Sequence, residues 1–253
     1  MDKKTIARNF SRYAYLYDRY ADVQRIAASE LLRRNANRDF ERILELGCGT
    51  GNYTQLLRER FKKAKIQAVD ICDKMISVAR DKLKNKNIHF IVEDAECLNS
   101  REQFDLITSN AAFQWFEDLE KSLLRYKALL KKQGMISFSV FGPLTFSELN
   151  SSIKSVLGDT AITVDGFMSK DKVEGMLHKF FKEPNINETV FREDFKSIKD
   201  LLEKIKYTGT RGSGLGSKIY FSRRALEEID RAYLDKFKKI TATYQVFFCQ
   251  ARA

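Results

Sequence analysis

Between positions 41 and 142 short apolar runs and amphipathic stretches take turns along the chain. "RILELG" is an apolar run ending at glycine, and "YTQLLRERFKK" follows with its apolar residues at helical spacing. "IQAVDI" is a second short strand, followed by the amphipathic "KMISVARDKLKN"; then come "IHFIVED", "FDLITSN" and, after the helical "LEKSLLRYKALLKK", "MISFSVFG". Short apolar strands alternating with helices predict an α/β fold, a parallel sheet with helices on both faces. Ligands of such sheets bind beyond the carboxyl ends of the strands.

After Pro143 the alternation fails. Residues 144–182 read as mostly helical, "NINETVFREDF" as a strand, "SIKDLLEKIKYTG" and "RRALEEIDRAYLDKFKK" as helices, and "TATYQVFFCQARA" as a final strand. Ahead of the sheet, residues 2–35 predict one or two helices. Phe10, Tyr13, Tyr17 and Tyr20 fall on one stripe of a 3.6-residue helix. Packing against the domain accounts for the stripe; the alternative is that one or two of these tyrosines close over a ligand.

Composition narrows the class. The 253 residues are 43% apolar, ample for one sizeable core. No run approaches the roughly 18 apolar residues of a membrane span, and "MDKKTIARNFSRY" lacks the apolar region of a secretory signal, so a soluble cytosolic protein without membrane contacts is expected. Cys48, Cys72, Cys97 and Cys249 are far apart and form no CxxC pair. With His89 and His178 the only histidines, the sequence argues against a metal site and against a disulfide framework. Both histidines read as structural. The net charge is +11, shared as +6 over residues 1–150 and +5 over 151–253, with no concentrated basic block. Solvated faces explain that balance; an acidic macromolecular partner is the sharper reading.

The candidate chemistry begins at "LELGCGTGNY", where Gly47, Gly49 and Gly51 alternate after a strand. A phosphate-binding loop needs GxxxxGK[ST], and no lysine stands in the required place. The dinucleotide pattern GxGxxG would need its third glycine at Asn52 or Thr54. What remains is GxGxG, which resembles the glycine loop of class I S-adenosylmethionine-dependent methyltransferases, where backbone passes close to a ligand without phosphate. The context strengthens the resemblance. Asp70 ends the next strand, 19 residues after Gly51, where a carboxylate accepts hydrogen bonds from a ribose diol. Ile71 and Met75, just after it, are placed with the cofactor. Asp94 and Ala95 close the third strand, where a carboxylate can accept from an adenine amino group and a backbone amide can read the ring. Asn110 ends the fourth, beside the expected methionine end. Glu45 is the remaining carboxylate in reach of a ligand ammonium. Each alone is a strand cap; four in register agree on one ligand. Cys48 reads as a small residue in a tight turn, having no histidine nearby to activate it, and Cys72 as packing.

Further segments resemble one family. "SNAAFQWFED", with its Gln114-Trp115 pair, is similar to the fourth-strand segment of the malonyl-acyl-carrier-protein O-methyltransferases of biotin synthesis and of relatives that methylate trans-aconitate. "NFSRYAYLYDRYADVQ", "FGPLTFSEL" and "GTRGSGLG" resemble the same family's opening segment, the approach to its substrate subdomain and its glycine-rich turn. The resemblance implies a Rossmann-like class I methyltransferase with a seven-stranded, mostly parallel sheet. Its single domain, 1–253, would comprise an N-terminal helical cap (1–40), a cofactor core (41–142), a substrate-side helical region (143–239) and a final strand (240–253). The cofactor would be S-adenosyl-L-methionine, and the product the methyl ester of malonyl-acyl carrier protein, early in biotin synthesis. A carboxylate acceptor is ionised near pH 7, so no general base is expected. Tyr17 and Arg211 are the candidates for holding the acceptor, with Arg12, Arg25, Gln114 and Trp115 on the substrate side; Gly209, Gly212 and Gly214 shape the turn around Arg211. Arg33, Arg34, Lys199, Lys204, Lys206, Arg223 and Arg224 are the candidates for docking the acidic carrier protein. The alternatives are a trans-aconitate-like or other small-molecule methyltransferase, an RNA methyltransferase, which the charge supports but the lack of a clustered basic stripe does not, and a catalytically silent binding fold.

Overall fold

The computed structural model describes residues 3–84, 86–158, 167–208 and 222–253. Among them are β1 (Arg42–Leu46), β2 (Lys65–Asp70), β3 (Ile88–Val92), β4 (Phe104–Asn110), β5 (Leu130–Phe141), β6 (Lys182–Phe195) and β7 (Ile240–Arg252). They form one seven-stranded sheet in the order β3-β2-β1-β4-β5-β7-β6. The first five run parallel, while β7 is antiparallel to both β5 and β6. The chain winds outward from β1 to β3, then returns to lay β4 on the other side of β1. That reversal opens a crevice at the carboxyl ends of β1 and β4, where doubly wound sheets bind ligands.

The helices are α1 (Lys3–Tyr13), α2 (Tyr17–Tyr20), α3 (Asp22–Asn35), α4 (Asn52–Arg60), α5 (Asp73–Lys82), α6 (Leu119–Leu129), α7 (Ser147–Leu157), α8 (Lys170–Phe180), α9 (Ile198–Tyr207) and α10 (Arg223–Phe237). Strand alternation divides the core between two faces. Ile43 packs with Leu31, Tyr53 and Leu57 under α3 and α4, and α7, α9 and α10 extend that side through Leu149, Ile205 and Tyr233. Leu44 and Leu46 face the other way, onto Leu123, Tyr126 and Val173 of α6 and α8. Each such buried side chain contributes about 1.5–3 kcal/mol. No helix of the described residues is long and apolar enough to cross a membrane.

The strand read at "NINETVFREDF" is β6, so the segment 143–239, labelled helical as a whole, carries a strand that pairs with β7 from Lys182↔Arg252 to Phe195↔Ile240 and forms the sheet's edge. Pro184 falls in the register shift between Lys182 and Asn185, a place where a missing N–H costs no ladder bond. The aromatic stripe is not continuous. α1 ends at Tyr13, and two tight turns, Leu16 N–H to Tyr13 O (2.9 Å) and Arg19 N–H to Leu16 O (3.0 Å), redirect the chain into α2. The break separates the four rings. Phe10 and Tyr17 face the crevice, while Tyr13 and Tyr20 close on Tyr207 of α9, with centroids 5.1 and 4.5 Å apart.

Candidate active site

The crevice is a cleft with about 750 Å³ of empty space, part of it open to solvent, roofed by α1 and α2. Its floor is the glycine loop after β1. Gly47, Gly49 and Gly51 all have positive φ, +71°, +54° and +81°. A Cβ on Gly47 would lie 2.3 Å from that of Ala112, so only glycine lets the loops leaving β1 and β4 meet. A Cβ on Gly49 would meet nothing within 4 Å, so its backbone is bare toward the cleft it lines. Gly51 does not line the cleft; it begins α4, against Ala79 and Leu83 of α5.

Asp70 stands at the tip of β2 and lines the cleft. Its Oδ2 accepts from Gly49 N–H (2.8 Å) and its Oδ1 from Cys72 N–H (2.9 Å), so one carboxylate fixes the glycine loop and aims its remaining lone pairs. Burial raises its pKa against these two bonds. Ile71, Met75, Asp94, Ala95 and Asn110 line the same cleft. Asn110 is held by Ser139 Oγ donating to its Oδ1 (2.7 Å) and by its own Nδ2 donating to Gln24 O (3.0 Å). Asp94 Oδ1 accepts from Glu96 N–H (3.0 Å), and its Oδ2 is met by Lys3 Nζ at 2.5 Å.

Glu45 does not reach the cleft wall. It lies on β1, 1% exposed, with Oε2 unpartnered. Burial pushes its pKa up to about 8, Asp70 adding to the rise and the Thr54 hydroxyl opposing it. Its position in the loop motif predicted a counter-ion for the ligand; the side chain is buried on β1 and is not among the residues that line the cleft. Cys48 is buried and its thiol pushed up by burial, as a packing residue requires, and Cys72 sits 3.0 Å from Ser11 Oγ. Both histidines are exposed and neither lines the cleft.

On the acceptor side, Tyr17 and Trp115 line the cleft, and Phe10 meets the Trp115 ring edge-on at 5.7 Å. Burial raises the Tyr17 phenol pKa, Asp18 and Asp70 adding to it, so the hydroxyl keeps its proton and remains a donor. Gln114 is not among the residues that line the cleft. Its Nε2 donates to Ala111 O (2.7 Å), and Ala111 holds φ +53°, a conformation that costs a non-glycine residue about 1–2 kcal/mol. Gln114 thus steadies a strained turn in the cleft wall. Arg12 and Arg25 are exposed and do not line the cleft; Arg25 pairs with Asp22 on its own helix. Arg211 and its flanking glycines lie outside the described residues.

Two residues of the site escaped the sequence reading. Lys3 lines the cleft and pairs with Asp94 and Glu96. Asp18 accepts from Thr50 Oγ1 (2.6 Å), Asn52 Nδ2 (2.9 Å) and Lys82 Nζ (2.6 Å), tying α2 to the glycine loop, α4 and α5. Burial opposes its ionisation, but the bonds from Lys82 and Thr50 outweigh it and hold the carboxyl below its ordinary range. The Tyr17-Asp18 step was visible in the sequence, without the partners that give Asp18 its meaning.

A bare glycine backbone, an acidic tip on β2, an acid-alanine pair on β3 and an apolar far wall fit S-adenosylmethionine. On this fold they define a class I S-adenosylmethionine-dependent methyltransferase. A family model described as a methyltransferase domain matches residues 43–134. A malonyl-[acyl-carrier protein] O-methyltransferase of Ilyobacter polytropus is 37% identical over 94% of this chain and 88% of its own. That of Bacillus cereus is 35% identical over 98% and 96%. The chain belongs to the malonyl-[acyl-carrier protein] O-methyltransferase family. Solved structures share the fold at lower identity. YcgJ of Bacillus subtilis is 17% identical with TM-score 0.63, covering 89% of this chain and 97% of that one. The N-methyltransferase NodS of Bradyrhizobium japonicum, in complex with S-adenosyl-L-homocysteine, is 15% identical with TM-score 0.57, covering 98% of each.

Proposed function

We propose that this chain methylates the free carboxylate of a malonyl group carried on acyl carrier protein, giving the methyl ester, the step that the resemblance places early in biotin synthesis. The observation that carries the reading is where the identity lies. It covers 94–98% of the chain, including α7, α8, β6 and α9, which take no part in the cofactor cleft. Similarity confined to residues 43–134 would support only the methyl donor.

S-adenosylmethionine supplies an electrophilic methyl group when bound. Gly49 and Asp70 would hold its ribose, Asp94 and Ala95 its adenine, and Asn110 its methionine end. Tyr17, a neutral phenol at the cleft, would donate to the acceptor carboxylate and orient it. Arg211 is proposed as the cation that holds the same carboxylate. Phe10, Trp115 and Phe116 wall the cleft with apolar surface and exclude water from the reacting charges. No side chain has to remove a proton, because a carboxylate is ionised at neutral pH. The absence of a histidine from the cleft is compatible with that chemistry.

The test offers malonyl-carrier protein, malonyl-coenzyme A, trans-aconitate and total RNA side by side with methyl-labelled cofactor. Label should go to the carrier-bound malonyl group and be released as methanol by mild base. Label in RNA, or a product stable to base, would reject the reading; label in trans-aconitate alone would move it to another small-molecule acceptor.

A further inference from the structure

The helix that roofs the cleft has a second face. Lys3, Ile6 and Phe10 point from α1 into the cleft. Arg8 and Arg12, one helical turn apart, stand on the opposite side and are exposed. α1 contains no acidic residue. Among the described residues, Lys3 pairs with Asp94 and Glu96, Asp18 with Lys82, and Asp22 with Arg25 and Lys204, whereas Arg8, Arg12 and Arg19 enter none of these ion pairs. Lys206 of α9 joins the end of the ridge. Its ammonium lies 5.5 Å from the Tyr13 ring centroid and the Arg12 guanidinium 5.6 Å from the same centroid, so two cations from distant parts of the chain share one ring. Tyr15 lies in the turn that follows the helix end. At 73% exposure it is the most exposed large hydrophobic side chain among the described residues. Arginine and tyrosine are the residue types enriched at protein interfaces.

The basic residues singled out in the sequence are placed differently. Arg33 and Arg34 pair with Glu30, and Arg223 and Arg224 with Glu227 and Glu228 of their own helix. Lys204 is 5% exposed and bound by Asp22 and Glu193, so it cannot dock anything. Of that set only Lys206 belongs to the ridge.

We infer that the outer ridge of α1, Arg8, Arg12 and Tyr15 with Lys206 beside them, is the docking surface for an acidic protein that delivers the acyl acceptor on a flexible arm. The inference rests on the proposed carrier-bound substrate and names the surface that receives it. The ridge lies one helix diameter from the cleft, so a carrier seated there leaves its arm to reach around α1 to the acceptor side near Tyr17 and Trp115. Its charge is complementary to an acidic partner, and Tyr15 supplies an apolar anchor that a purely electrostatic encounter would not need.

The experiment compares three proteins: wild type, the ridge variant Arg8→Glu/Arg12→Glu/Tyr15→Ala, and the control Lys62→Glu/Lys63→Glu. The control makes the same change in net charge at two exposed lysines between α4 and β2, at the amino-terminal end of the parallel strands and so opposite the cleft. The readout is kcat/KM for malonyl-carrier protein divided by kcat/KM for malonyl-coenzyme A, with thermal melting to confirm folding. The ratio should fall by about tenfold or more in the ridge variant, by much less in the control, and its dependence on salt should flatten only in the ridge variant. A milder pair, Arg8→Ala and Arg12→Ala, should move it in the same direction if the triple variant melts early. Equal falls in ridge variant and control would mean that net charge alone steers the carrier and would overturn the inference, as would an unchanged ratio. RNA displacing carrier protein from the wild type but not from the ridge variant would reassign the surface to nucleic acid. If the wild type methylates no carrier-bound malonyl group, the proposed function falls and takes the inference with it; if it does and the ratio does not move, only the inference falls.

Discussion

Lys3 Nζ lies 2.5 Å from Asp94 Oδ2 and 2.7 Å from Glu96 Oε2, which fastens the first turn of α1 to the end of β3. The carboxylate expected to read the adenine is therefore also the catch of the helix above it. Lys3→Met should release that catch. Partly buried ion pairs of this kind contribute up to about 1 kcal/mol, so the cofactor should dissociate about two- to fivefold faster at low salt, with a smaller difference at high salt. A stopped-flow chase of bound cofactor measures it. Tighter binding in Lys3→Met would show instead that the lysine competes with the cofactor for Asp94.

Asp70 has two duties, anchoring the glycine loop through Gly49 N–H and offering lone pairs to the cleft. Asp70→Ala loses both and should weaken S-adenosylmethionine binding by about 1.5–3 kcal/mol, the range for hydrogen bonds to a charged group. Asp70→Asn keeps the shape and should lose less. Calorimetric titration with the cofactor decides; affinity unchanged in the alanine variant would remove the ribose assignment.

Glu45 makes stability depend on pH. Its folded pKa, about 8, lies above the ordinary glutamate value of 4.5. Between those values the folded chain holds a proton that the unfolded chain has released, so stability falls as pH rises from about 4.5 to 8. Glu45→Gln copies the neutral acid and removes this loss. The variant should gain in melting temperature over wild type as pH is raised through that window, with little difference at its acid end. Its affinity for the cofactor should stay within about threefold, less than the 1.4 kcal/mol of a tenfold change; a loss beyond tenfold at pH 7 would return Glu45 to the ligand's ammonium.

The strand tips were legible because a parallel sheet of this winding puts successive carboxyl ends side by side. Knowing where Leu46, Asp70, Val92 and Asn110 end their strands is nearly enough to place Asp70, Ala95 and Asn110 in one cleft. What the residues' spacing could not carry is contact across long stretches of chain. Asp18 acquires its partners from Thr50, Asn52 and Lys82 only when the N-terminal helices fold back over the sheet, and nothing local marks it as an acceptor of three bonds. Gln114 was placed on the substrate side because the Gln114-Trp115 pair resembles that of the family; its bond to Ala111 O became visible only with the turn that strains Ala111. Periodicity also extended one helix through Tyr13 and Tyr17, whereas the two turns between them decide which ring meets the cleft.

Asp18 gives the most demanding test of the N-terminal cap. Its carboxylate takes bonds from three elements, and Lys82 Nζ also donates to Asn52 Oδ1 (2.7 Å), closing a small polar network around the start of α4. Tyr17, the preceding residue, lines the cleft, so loosening Asp18 should loosen the phenol as well. Asp18→Ala should cost about 1.5–3 kcal/mol of stability, the range for bonds to a charged group, and should lower kcat/KM for the acceptor. Lys82→Met should cost less, because Thr50 and Asn52 still hold the carboxylate. The double variant should be little worse than Asp18→Ala alone, a coupling of about 1–2 kcal/mol, since once Asp18 is gone Lys82 has lost its ionic partner. The sign with pH is opposite to that of Glu45. The folded Asp18 pKa is depressed, so its contribution is present above the ordinary aspartate range and is lost as pH falls through the folded value. To separate positioning of Tyr17 from simple loss of stability, Asp18→Asn is made with and without Tyr17→Phe and assayed well below every variant's melting temperature. If Asp18 acts through the phenol, Asp18→Asn should lower kcat severalfold in the Tyr17 background and hardly at all in the Phe background. Equal losses in both backgrounds would leave Asp18 a stabilising residue of the cap with no part in aiming Tyr17.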